Sequence, residues 1–153
     1  MTSLLGTFEH SLDDKGRIIL PSSFRDTFAA GAYLTKGTDG CLTLMGEAEF
    51  NEQVAHRTRL AKVSRQYRHA ARSFTAGSIG CAPDKQGRLA IPANLREYAG
   101  LEKACVVIGS NNRVEIWSEQ RWAEVDEIGD ATLMEGDEID PALLLLIEQE
   151  ANK

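Results

Sequence analysis

The sequence predicts an α+β fold, mainly β, built from two copies of one small unit that share a core. Three observations predict it. The first is an internal repeat. Residues 13–26 read Asp13-Asp14-Lys15-Gly16-Arg17-Ile18-Ile19-Leu20-Pro21-Ser22-Ser23-Phe24-Arg25-Asp26. Residues 84–97 answer with Asp84-Lys85-Gln86-Gly87-Arg88-Leu89-Ala90-Ile91-Pro92-Ala93-Asn94-Leu95-Arg96-Glu97. The second is the reach of the match. Tyr33-Leu34-Thr35-Lys36-Gly37 faces Cys105-Val106-Val107-Ile108-Gly109, and Leu42-Thr43-Leu44-Met45 faces Val114-Glu115-Ile116-Trp117. The offset is 71 at the first acid and 72 at the later glycine, so one residue separates the two copies in length. The third is size. The chain of 153 residues can bury one substantial core, whereas a unit of about 50 residues is marginal alone. The repeats therefore pack on each other, on other subunits, or both.

Each element follows from local chemistry. Residues 4–10 and 17–20 read as strands. The Asp13-Asp14-Lys15-Gly16 turn joins them, with Gly16 free to take positive φ. Pro21 ends the second strand because it has no N–H to donate. Ser22 or Ser23 can then cap a short helix reaching about residue 29. Strands near 32–36 and 41–45 follow, joined by the hairpin signal Gly37-Thr38-Asp39-Gly40. The second copy repeats this order: strands near 76–82 and 88–91, a helix near 93–99, and strands near 104–109 and 113–117.

Each copy ends in a helix. The first spans about 47–72 as one segment. Leu60, Val63, Tyr67, Ala70 and Ala71 gather on one side of it, and Lys62, Arg65, His69 and Arg72 nearly opposite. The basic side meets solvent or phosphate. The second helix starts near Ser118 and holds Trp122. Residues 126–140 are acidic and contain glycine, which predicts a mobile linker. Asp140-Pro141 opens a last short helix, whose stretch Leu143-Leu144-Leu145-Leu146-Ile147 is apolar nearly all round.

The net charge is −6, but it is unevenly spread. Residues 1–113 hold 15 basic and 11 acidic residues, a local charge of +4. Residues 114–153 hold 2 and 12, a local charge of −10. A phosphate backbone senses the local field rather than the total. Cys41, Cys81 and Cys105 are widely spaced, with no C-x-x-C, and form no metal-ligand pattern with His10, His56 and His69. They read as free thiols, and neither metal nor cofactor is expected. The start of the chain lacks the charged and apolar regions of a signal peptide. No apolar run approaches the roughly 18 residues of a membrane span. The expected location is the cytoplasm, and no membrane or small-molecule substrate is expected.

The chemistry concentrates in the repeated turn. A Gly-Arg turn exposes a basic side chain beside backbone N–H groups, which suits phosphate oxygens. Arginine also pairs two-pronged with guanine in the major groove. Arg17 and Arg88 are the leading DNA-binding candidates, with Lys15 and Lys85 beside them. Arg25 and Arg96, on the helix behind each turn, are further candidates. A structural reading stands next to this one: Asp13 and Asp84 could hold Arg17 and Arg88 within their own turns. Asp13, Gly16, Asp84 and Gly87 are expected to shape the loops.

The doubled D-x-x-G-R, three aliphatics, Pro, apolar residue and Arg resemble the AbrB-type swapped-hairpin DNA-binding unit. Two such units with a helical bridge, and Glu115-Ile116-Trp117 in the second, resemble the MraZ family of bacterial transcriptional regulators. The resemblance covers roughly residues 4–125. It implies a barrel-like pseudo-dimer within one chain, with packed helices, assembling into homo-oligomeric rings. It implies a nucleoid-associated regulator of transcription on double-stranded DNA, binding short repeated boxes in the promoter of the division and cell-wall gene cluster, its own gene included. On this reading residues 4–50 are the first repeat, 51–73 the bridge, 74–124 the second repeat, and 125–153 the acidic linker and terminal helix. Lys85-Gln86 stands where the first copy has Asp14-Lys15, so the two turns are not chemically equal.

Two other classes compete. AbrB-like units also occur in antitoxins, whose tails cover a toxin, and the acidic stretch with Leu143 and its neighbours fits superficially. Such antitoxins usually carry one unit and dimerise, whereas this chain carries two. An enzyme is the third class. No triad, metal site or phosphate loop is recognisable, so no enzyme is expected.

Overall fold

The computed structural model describes residues 3–136 and 138–152. The chain divides into two compact units, Met1–Trp122 and Ala123–Lys153. In the first unit the strands are β1 (Thr7–Ser11), β2 (Arg17–Ile19), β3 (Ala32–Lys36), β4 (Leu42–Met45), β5 (Ile79–Cys81), β6 (Arg88–Ala90), β7 (Ala104–Gly109) and β8 (Val114–Ser118). Its helices are α1 (Ser22–Phe28), α2 (Glu47–Ala61), α3 (Arg65–Gly77) and α4 (Ala93–Tyr98). α5 (Glu119–Glu135) begins there, and α6 (Pro141–Ala151) lies in the second unit. The fold is α+β, as the repeat predicts.

The strands exchange between repeats. The larger sheet runs β1-β7-β8-β4-β3-β5, and β2 and β6 form a separate antiparallel ribbon. β1 of the first copy pairs with β7 of the second, and β5 of the second with β3 of the first. Two registers locate a pseudo-two-fold. In the ribbon Ile18 faces Leu89, which is its own counterpart at the offset of 71. Between β4 and β8, Thr43 faces Glu115, its counterpart at 72. The axis passes through both pairs.

One core serves both copies. Ile18, Leu20, Phe24, Leu34 and Leu44 from the first pack with Leu89, Ile91, Leu95, Val107 and Ile116 from the second. Each is at most 2% exposed, and each such burial contributes about 1.5–3 kcal/mol. The hydrophobic residues that follow each Gly-Arg therefore fix that turn to the body.

Three expectations need correction. The segment from 47 onward is not one helix. It breaks at Lys62-Val63-Ser64, where the Ser64 hydroxyl accepts a bond from the Tyr67 N–H at 3.3 Å and caps α3. Val63 leaves the apolar face and is 73% exposed, while Phe74, further along α3, is buried. Neither Ser22 nor Ser23 caps α1; the cap position is Pro21, whose carbonyl accepts from Phe24 N–H. The acidic segment after residue 126 continues α5 as far as Glu135. Its flanking Ala, Glu and Leu are good helix formers, and one interior Gly129 costs only about 1 kcal/mol. Asp137, part of the expected linker, lies outside the described residues. The cap of α6 is as expected, with the Asp140 carboxylate accepting from Ala142 N–H at 2.8 Å.

Candidate nucleic-acid interface

The two Gly-Arg turns have one geometry. In the first, Asp13 Oδ1 accepts from the Lys15 and Arg17 backbone N–H groups, both at 2.9 Å. In the second, Asp84 Oδ1 accepts from Gln86 at 3.0 Å and Arg88 at 2.8 Å. The other carboxylate oxygen holds the arginine Nε, at 2.7 Å in Arg17 and 2.8 Å in Arg88. Gly16 and Gly87 take φ of +73° and +80°, which a residue with a Cβ rarely adopts. The Arg17 backbone N–H, foremost, and then its guanidinium hold the Asp13 carboxyl below its ordinary 3.8. Arg88 does the same for Asp84.

The structural role of the aspartates and an outward role for the arginines are compatible. Asp13 binds Arg17 through Nε, and among the described residues neither Nη group has a protein partner. Arg88 differs: its Nη2 also donates to Gln86 Oε1 at 3.2 Å. The difference between Lys15 and Gln86, visible in the sequence, thus reaches the arginine itself. Lys15 and Lys85 are exposed.

Arg25 and Arg96 are placed differently. Arg25 Nε donates to the Leu20 carbonyl at 2.9 Å, and Arg96 Nη1 to the Ile91 carbonyl. Each then crosses to the other repeat. The Arg96 guanidinium fills the space a Cβ on Gly16 would need, and Arg25 does the same at Gly87. Each turn is backed by the arginine of the opposite copy. The ribbon ties the turns further: Leu20 N–H donates to Gly87 O at 2.8 Å, and Ile91 N–H to Gly16 O at 3.0 Å. These cross-repeat contacts could not be read from spacing, because they join residues about a whole repeat apart.

The structure brings both turns to one ribbon, related by the pseudo-two-fold, with Arg17 opposite Ala90 and Arg88 opposite Ile19. Such an arrangement presents two fixed guanidinium groups that can fork onto phosphate or guanine. Among the described residues, no group of His, Cys, Asp or Glu could hold a metal ion. No described helix is long and apolar enough to cross a membrane. The three thiols are free, and burial pushes Cys41 up to about 12, and Cys81 and Cys105 to about 11. Thiols held this high stay protonated at neutral pH.

Two strand-exchanged β-units sharing one core, each carrying an Asp-anchored Gly-Arg turn, define a fused swapped-hairpin protein. The family model described as "MraZ protein, putative antitoxin-like" matches twice, over residues 3–71 and 74–138. The second match reaches past residue 125, beyond the extent expected of the resemblance. The chain belongs to the MraZ family. It is 46% identical over 124 residues to the transcriptional regulator MraZ of Symbiobacterium thermophilum, covering 80% of this chain and 89% of that one. The protein of the same name from Thermobifida fusca is 46% identical, covering 80% and 85%. That from Saccharopolyspora erythraea is 49% identical over 119 residues, covering 77% and 82%.

Proposed function

We propose that this protein is a sequence-specific DNA-binding regulator of transcription. The observation that carries the reading is the pair of Gly-Arg turns set side by side on the β2–β6 ribbon. Duplex DNA has local two-fold symmetry, and a two-fold pair of basic turns is matched to it. Arg17 and Arg88 reach base edges or phosphates, and Lys15 and Lys85 add phosphate contacts. Arg25 and Arg96 act as positioning residues that set the turns from behind and add positive field. The sites are short repeated boxes in the promoter of the division and cell-wall gene cluster, including the protein's own gene. Several copies assemble into a ring on adjacent boxes. The protein works in the cytoplasm at the nucleoid.

Relatives named as transcriptional regulators at 46% identity support this reading. An antitoxin is the second reading, favoured by the words of the family description and by the apolar stretch in α6. Against it stands the intrachain pairing, which leaves no need for the dimerisation on which single-unit antitoxins depend. A footprint on the DNA upstream of the protein's own gene tests the proposal. Protection of regularly spaced short boxes is expected. Absence of protection, with a small toxin co-purifying, would favour the second reading.

A further inference from the structure

A polar cavity of about 80 Å³ lies among β3, β4, β8, α2 and α3, and shares no residue with the Gly-Arg turns. Thr35, Lys36, Thr43, Arg57, Phe74 and Arg113 line it. A wider cleft of about 350 Å³ shares Lys36, Arg57 and Phe74 and adds Tyr98.

Two donors in this cavity are unsatisfied among the described residues. Thr35 is wholly buried, and its hydroxyl has no hydrogen-bond partner. The Arg57 Nε is buried and likewise unpartnered. Buried polar groups are rarely left so, and those that are call for a ligand, an ion or water. The charge balance points to an anion. Glu115 is the one carboxylate lining the cavity, and it is engaged by Arg113 at 3.3 Å. It also accepts from Trp117 Nε1 at 3.2 Å. Neither Lys36 nor Arg57 joins an ion pair among the described residues. Aromatic rings hold these two cations instead. The Arg57 guanidinium carbon sits 5.1 Å from the Phe74 ring centroid, and Lys36 Nζ 5.5 Å from that of Tyr98. Ring contact fixes a cation while leaving its hydrogen bonds to be made. Tyr98 is fixed in turn, since its hydroxyl donates to the Gly37 carbonyl at 2.6 Å.

We propose that this cavity binds a phosphate oxyanion. Arg57 offers a fork, Lys36 a point charge and Thr35 a hydroxyl donor. The open cleft beside Phe74 and Tyr98 admits the organic part of a phosphate ester. Free phosphate and a phosphate ester share this chemistry.

Calorimetric titration of the whole protein, without DNA, tests the site with inorganic phosphate and with phenyl phosphate. Saturable binding of one or both is expected. A tenfold gain for phenyl phosphate would assign the ester, and equal affinity the free anion. Arg57→Gln should weaken binding at least tenfold, and Thr35→Val several-fold, each with an unchanged far-ultraviolet spectrum. The exposed Arg65→Gln should bind like the wild type. Absence of saturable heat with either probe, or equal binding by wild type and Arg57→Gln, would overturn the site. Because no DNA is present, failure here leaves the regulatory reading untouched.

Discussion

Arg17 illustrates how one side chain serves shape and recognition together. Its Nε is committed to Asp13 at 2.7 Å, and among the described residues its Nη groups are not committed. A solvent-screened pair of this kind adds little to stability. Arg17→Ala is therefore expected to melt like the wild type but to lose about 1–3 kcal/mol of operator affinity per site. Unchanged affinity in a gel-shift titration would remove Arg17 from the interface. Arg88→Ala should cost less, because Gln86 already engages one of its Nη groups. The aspartates give a pH prediction. Their folded pKa values lie below the ordinary 3.8, held down first by backbone N–H groups. The stability they contribute is complete above that ordinary value and is lost as pH falls through the lowered one. Carboxyl-carbon NMR should show Asp13 and Asp84 titrating below 3.8 in the wild type. It should also show Asp13 still lowered in Arg17→Ala, because the backbone donors remain. Titration of Asp13 at or above 3.8 in the wild type would contradict the turn geometry.

At the scale of elements, the repeat made most strands legible. A Gly-Arg turn, an aliphatic triplet and a proline each have a local cause, and they recur in the same order. The break between α2 and α3 was not legible as a break, because no glycine or proline marks it. Its one sequence signal is Ser64, three residues before Tyr67, which caps α3. Ser64→Ala should cost about 0.5–2 kcal/mol in chemical denaturation. No loss at all would mean that packing against α2 sets the break without the cap. The extension of α5 was hidden by the opposite error: acidic residues with two glycines resemble a linker in composition, whereas Gly129 alone does not stop a helix. The candidate turns were legible from residues 13–17 and 84–88. The backing of Gly16 by Arg96 and of Gly87 by Arg25 was not, since strand exchange, rather than any local pattern, creates those contacts. The Thr35–Arg57 cavity escaped for the same reason: its residues come from five elements and no motif joins them.

For the whole molecule, strand exchange makes the repeats interdependent. β1 pairs with β7 and β2 with β6, and β3 and β4 each pair on one side with β5 and β8, so in residues 1–72 alone β1 and β2 lack any partner and β3 and β4 each lose one. That fragment should be poorly folded or should pair with itself. A monomeric fragment with sharp thermal unfolding, shown by ultracentrifugation and calorimetry, would refute the shared core. The acidic residues after 113 set a second prediction. Residues 128–153 hold seven acidic residues and one basic residue, a charge of −6 that opposes phosphate, so removing them should leave DNA affinity unchanged or raised. Loss of binding by a folded truncated protein would give the tail a direct role. Basic turns must meet DNA despite a net charge of −6, and salt dependence probes this most directly. Three to six phosphate contacts per chain give a slope of log K against log salt of about −3 to −5 on the upstream boxes. Titrations from low to physiological salt should show that slope. A flat response would mean that the turns do not meet phosphate, and would contradict the account.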